Sequence, residues 1–161
     1  MPPLIADVFR HNLWANLRLL DACAALGPDK LAASAPGTYG AVSDTLVHML
    51  ASEGRYLREF TRRDPEQPLV EGMGFPGCAS LQEHARASGG ALIGLAERTR
   101  SSRLLRGTYR GQPYVMRAGI LLVQAVNHAT EHRSHVVSIL NQRGVETPRL
   151  DAIAYFQDGA P

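Results

Sequence analysis

Apolar residues recur at intervals of three and four along most of this chain, and the pattern predicts four helices. The first runs from residue 4 to about residue 26, with Ile5, Val8, Phe9, Leu13, Leu17, Leu20 and Ala24 on one face. Gly27-Pro28 ends it, because Gly accepts the backbone of a helix end and Pro cannot continue the hydrogen-bond ladder. Residues 29–40 are small and polar, with Pro36-Gly37 as a turn signal. The second helix spans about residues 41–61 on a stripe of Val42, Leu46, Met49, Leu50, Leu57 and Phe60. From residue 62 to 79 the periodicity vanishes. Pro65, Pro68, Gly72, Gly74, Pro76 and Gly77 exclude a long helix or a central strand there. A loop of that length serves either as a lid or pocket wall or as a plain connector.

The third helix is predicted over about residues 80–100, with Leu81, Ala85, Leu92, Leu95 and Ala96 inward. Ser80-Leu81-Gln82-Glu83 reads as a capping box at its start. Gly89, Gly90 and Gly94 weaken it locally and permit a neighbouring helix to come close. Leu104–Tyr109 and residues 114–116 flank Arg110-Gly111-Gln112-Pro113 and read as a small hairpin. The fourth helix covers about residues 117–143 and stops at Gly144. After Thr147-Pro148 comes a tail whose Ile153, Tyr155 and Phe156 are placed to pack back. The whole reads as one all-α domain over residues 1–161. It is a four-helix bundle with a long loop between helices two and three and a small extended segment before helix four.

Composition narrows the partners. A formal charge of +2, with arginines scattered rather than striped, argues against nucleic acid. Two cysteines far apart, Cys23 and Cys78, form no redox pair in sequence and suit a reducing compartment. No run of about 18 apolar residues and no signal-peptide pattern is present, so no membrane partner is expected and the protein reads as cytoplasmic.

The chemistry concentrates on the fourth helix. His128 and His132 lie four residues apart, and with His135 they share the apolar stripe of Leu121, Ala125, Val136 and Ile139. Burying imidazoles is costly unless each finds a hydrogen bond or a shared cation. Neutral imidazole is a good ligand for zinc, nickel, copper or iron, so a divalent metal resolves the cost. Two ligands hold a metal poorly, and a third is required from another helix. His11, His48 and His84 are the candidates. Local periodicity disfavours His48, which sits roughly 140° from the centre of its helix's apolar stripe. His84, near the start of its helix, reads as a surface residue.

Three segments together resemble the DinB/YfiT-like family of damage-inducible bacterial metalloenzymes. They are His11-Asn12-Leu13-Trp14-Ala15-Asn16 with Leu19-Leu20, Thr45-Leu46-Val47-His48-Met49 with Glu53 and Tyr56-Leu57, and Asn127-His128-Ala129-Thr130-Glu131-His132-Arg133 through Leu140 and Gly144, with Asp151 beyond. The resemblance implies a four-helix bundle in which three histidines hold a divalent ion, nickel or zinc. By motif these are His48, His128 and His132, so it selects His48 against the local periodicity. Where the family often has Gly-Gln after His-Arg, this chain has Ser134-His135.

The implied activity is transfer of a low-molecular-weight thiol to a small-molecule substrate, in a homodimeric stress or detoxification enzyme. A metal-dependent hydrolase and a non-catalytic metal-binding or scaffold protein are the alternatives. Glu131 is a candidate for orienting a ligand, and His135 for a gate, an outer-sphere group or an alternative ligand. Tyr56, Arg55 and Asn127 are candidates to line the pocket.

Overall fold

The computed structural model describes residues 4–100 and 102–159. Four long helices dominate it: α1 (Leu4–Ala24), α3 (Val42–Thr61), α4 (Cys78–Arg98) and α5 (Ala118–Gln142). A short α2 (Pro28–Leu31) follows α1, β1 (Leu104–Tyr109) and β2 (Gln112–Arg117) precede α5, and α6 (Ala152–Gln157) closes the chain. The fold is therefore mostly helical with one small sheet. No helix among the described residues is long and apolar enough to cross a membrane.

α1 packs most extensively on α4, and α3 on α5. The first contact is close because Gly89 of α4 lies under Leu13: a Cβ there would come within 2.7 Å of Leu13 Cδ1. Two apolar clusters result. One joins Leu19, Leu46, Leu50, Leu81, Ile139 and Leu140, and the other joins Phe9, Phe60, Leu92, Leu105 and Leu122.

Helix ends follow local chemistry. Gly144 adopts φ 71° after α5, with its own N–H on Asn141 O and the Val145 N–H on Leu140 O, the paired bonds that satisfy a helix end. Arg110 (φ 50°) and Gly111 (φ 78°) make the two-residue turn between antiparallel β1 and β2. The second strand begins at Gln112, two residues earlier than the sequence pattern suggests, with Pro113 tolerated in a sheet of two edge strands.

Three expectations are corrected. Pro28 does not merely end α1; it occupies the first turn of α2, where its fixed φ and missing N–H cost nothing. The Ser80–Glu83 capping box does not form, because α4 already starts at Cys78 after Gly77 (φ 92°), and no side chain caps it. The tail is helical from Ala152, capped by Asp151 Oδ1 accepting from the N–H groups of Ile153 and Ala154 at 3.0 Å each. Ile153 and Phe156 stay exposed, and it is Tyr155 that packs back, against His11 and Trp14.

The buried face of α1 also differs from its apolar stripe. Asn12 and Asn16 are fully buried while Ala24 is exposed. They face Glu53 of α3, 1% exposed, whose Oε1 accepts from Asn12 Nδ2 at 3.2 Å and from Asn16 Nδ2 at 2.9 Å. Ser88 of α4 donates to the other carboxylate oxygen. Arg133 of α5 donates to Asn12 Oδ1 at 2.7 Å and to Asn16 Oδ1 at 2.6 Å. Each of the four long helices thus contributes to one buried polar network. Burial drives the Glu53 pKa up and lowers that of Arg133 to about 10.

Candidate metal centre

The pairing of α3 with α5 sets the site. His48 and Ser52 lie one turn apart on α3, and His128 and His132 one turn apart on α5, so both stripes meet across the seam. His48 Nε2 lies 3.0 Å from His128 Nε2, which lies 3.1 Å from His132 Nε2. Ligand atoms of all three residues fall within 4.8 Å of one another. The three histidines singled out by the resemblance are therefore the three that the fold brings together.

The periodicity of α3 places His48 off its apolar stripe, and yet its side chain is 16% exposed. Two segments without periodicity cover it. Tyr39, from the connection before α3, stacks on its ring with centroids 4.0 Å apart. Glu71, from the loop between α3 and α4, accepts a hydrogen bond from His48 Nδ1 at 2.8 Å. The same carboxylate accepts from the Tyr39 hydroxyl at 3.0 Å and from the Arg55 guanidinium. Leu69 and Phe75 anchor this loop on the main apolar cluster, so it acts as a strap across α3. Burial alone would raise the Glu71 pKa, but hydrogen bonds from His48, Arg55 and Tyr39 outweigh it and hold the carboxyl down at about 2.

These contacts fix the imidazole states. Donating its Nδ1–H to Glu71 leaves the Nε2 of His48 directed at the centre of the cluster. His128 is pushed down to about 4 by burial and by His132 and His48, and burial also lowers His132. Near neutral pH the His128 and His132 rings are thus neutral. His128 Nε2 faces two nitrogens but has a single in-plane lone pair or proton, so hydrogen bonding cannot satisfy all three rings. The Nδ1 of His132 is buried without a partner as well. Three converging nitrogen donors at this spacing fit a first-row divalent ion.

The other candidates fall outside the cluster. His11 donates from Nε2 to Leu150 O at 2.8 Å and packs on Trp14 and Tyr155. His84 is half-buried rather than a free surface residue, on the far side of α3 beside the strap. His135 stands edge-on to His132, centroids 5.3 Å apart, with its Nδ1 buried and unpartnered. Glu131 and Asn127 are exposed, and among the described residues Glu131 makes no hydrogen bond to a histidine. The carboxylate that reaches a histidine of the cluster is Glu71, which sequence reasoning missed. Its only signal was its place in a long loop beside a candidate ligand helix. Tyr56 lies edge-on to His128 with centroids 5.9 Å apart, and Arg55 joins Glu71 to Ser52.

A family model described as the DinB family matches residues 1–159. The chain belongs to the DinB family. Its fold is DinB-like too. The crystal structure of a DinB-like protein from Bacillus cereus aligns with a TM-score of 0.69, covering 90% of this chain and 94% of that one at 17% sequence identity. No curated protein gives a significant match. The three-histidine cluster of this DinB-family chain is thus compatible with a metal site, on geometry that stands independently of the family assignment.

Proposed function

We propose that this DinB-family protein, its long helices arranged as a four-helix bundle, is a divalent-metal-dependent enzyme that transfers a low-molecular-weight thiol to a small-molecule electrophile. The observation that carries the proposal is the convergence of three Nε2 atoms, 3.0 and 3.1 Å apart, with no set of protons able to satisfy them. His48, His128 and His132 would hold nickel or zinc and leave coordination positions open, as catalytic rather than structural sites do. When bound, such an ion stabilises a thiolate or a hydroxide near neutral pH and polarises a carbonyl. The chain's own groups have separable tasks. Glu71 fixes the tautomer and direction of His48, Tyr39 shields that ring from water, and Arg55 holds Glu71 in place. The family likeness extends the proposal to a homodimer in the cytoplasm.

The test compares chelator-treated protein with protein reloaded with nickel or zinc. Each is given a low-molecular-weight thiol with a model electrophile, and separately ester and amide substrates. Metal-dependent consumption of the thiol supports the transferase. Turnover confined to esters or amides would replace it with a hydrolase, and metal binding with no turnover would favour a non-catalytic role.

A further inference from the structure

The strap does more than deliver Glu71. Beneath it, between α3 and α4, lies a cavity of about 870 Å³ that none of the three clustered histidines lines. Its floor is Leu50, Gly54 and Leu57 of α3, and its roof includes Pro65, Pro68 and Leu69. Ala87 belongs to the α4 wall. A volume of this order, with Leu50, Leu57, Leu69 and Val70 set among polar and charged side chains, is that of a small-molecule site. Gly54 is what lets the strap cross so low, since a Cβ there would stand 3.3 Å from Pro65 Cγ.

Charge selects the occupant. Arg55, Arg58 and Arg63 line the cavity, but so do Asp64, Glu66, Glu71 and Glu83. Arg55 is paired with Glu71, and Arg58 with Asp64 at 3.2 Å. Three guanidiniums facing four carboxylates leave no excess positive charge to recognise an anion. Arg63, Glu66, Gln67 and Glu83 are exposed and solvated, so the half-buried hydrogen-bonding capacity left without a side-chain partner among the described residues belongs to Ser80 and His84, one turn apart on the α4 wall. Glu71 and Arg55 are common to the cavity wall and the surroundings of His48.

We propose that this cavity binds a neutral, apolar-bodied organic molecule bearing a single hydrogen-bonding head. The body lies between Leu50, Leu57 and Leu69, and the head is directed along the wall formed by His84, Arg55 and Glu71. Identifying that molecule as the electrophilic substrate rests on the thiol-transfer reading. The cavity's ligand class does not.

The experiment uses the full chain stripped of metal by chelator, so its outcome is independent of the histidine cluster. Binding of neutral N-phenyl-1-naphthylamine is titrated by fluorescence, with anionic 8-anilino-1-naphthalenesulfonate as comparison. The expected result is one neutral dye per chain, held about tenfold or more tightly than the anionic dye. Ala87→Trp, which fills the cavity from α4 away from Glu71, should weaken the neutral dye by about tenfold or more. Gly54→Leu should do likewise, while Val123→Asp, on an exposed apolar position elsewhere, should leave binding unchanged. No saturable neutral-dye binding, preference for the anionic dye, indifference to both filling variants, or loss in Val123→Asp would each overturn the proposal. Dye binding as expected in a protein that takes up no metal would sustain the cavity and reject the enzyme reading. Metal uptake without dye binding would reject the cavity and leave the metal site standing, its activity decided by the turnover test.

Discussion

His48 Nδ1 and Glu71 Oε2 are 2.8 Å apart, although 23 residues and an aperiodic loop separate them in sequence. A carboxylate on the distal nitrogen of a ligand histidine raises its basicity and fixes its tautomer, and losing such a partner costs 10–100-fold in metal affinity. Glu71→Gln should therefore lower affinity for nickel or zinc by about 10–100-fold, measured by competition with a chromophoric chelator. An unchanged affinity would mean that His48 needs no orienting.

Elemental analysis of protein purified without chelator should give about one divalent ion per chain, since the cluster holds one set of converging donors. His48→Ala and His128→Ala should each lose the ion. His135→Ala should keep it, because that ring stands beside the cluster and not within it. Retention in His48→Ala with loss in His135→Ala would reassign the third ligand.

The metal-free protein should lose stability in acid over a defined window. The folded-state pKa of His128 is depressed to about 4, below the ordinary 6.5, and that of His132 is lowered too. Between those values the unfolded chain binds protons that the folded chain refuses, so stability falls as pH drops from about 6.5 towards 4 and levels off below. His128→Gln should flatten that part of a melting-temperature profile. A profile unchanged by the substitution would show that other groups set the acid limit.

Glu53→Ala should be far more damaging than Glu131→Ala. Removing the buried carboxylate strands donors on Asn12, Asn16 and Ser88 and leaves the Arg133 charge uncompensated, which costs about 3–5 kcal/mol. Glu131 is exposed, and its loss should change stability by no more than about 0.5 kcal/mol. Urea unfolding of both variants gives the comparison, and near-equal midpoints would deny the network its structural weight.

The long helices were legible because each buries a wide apolar face, and spacing reports such faces directly. Short elements were not. α2 and α6 are too brief to show a period, and they rest on Pro28 and on the Asp151 cap. His128 and His132 announced themselves by lying on an apolar stripe. His48 did not, because what buries it is Tyr39 and Glu71, from segments with no pattern to read. Asn12, Asn16, Glu53 and Arg133 were hidden for a related reason. A hydropathy pattern counts them as outward-facing, whereas the fold satisfies them against one another.

Apolar stripes tolerate sliding, since Leu against Leu is nearly as good one turn along, a displacement of about 5.4 Å. Directional bonds to Glu53 and Arg133 do not tolerate it. Helices that collapse in a slipped alignment would dehydrate a carboxylate and a guanidinium with their partners out of reach, and would separate again. The polar network therefore acts as a proofreading step in assembly. It admits the alignment in which all four helices meet correctly, the same alignment that sets His48 opposite His128, so the site is positioned by a cluster that supplies none of its three histidines.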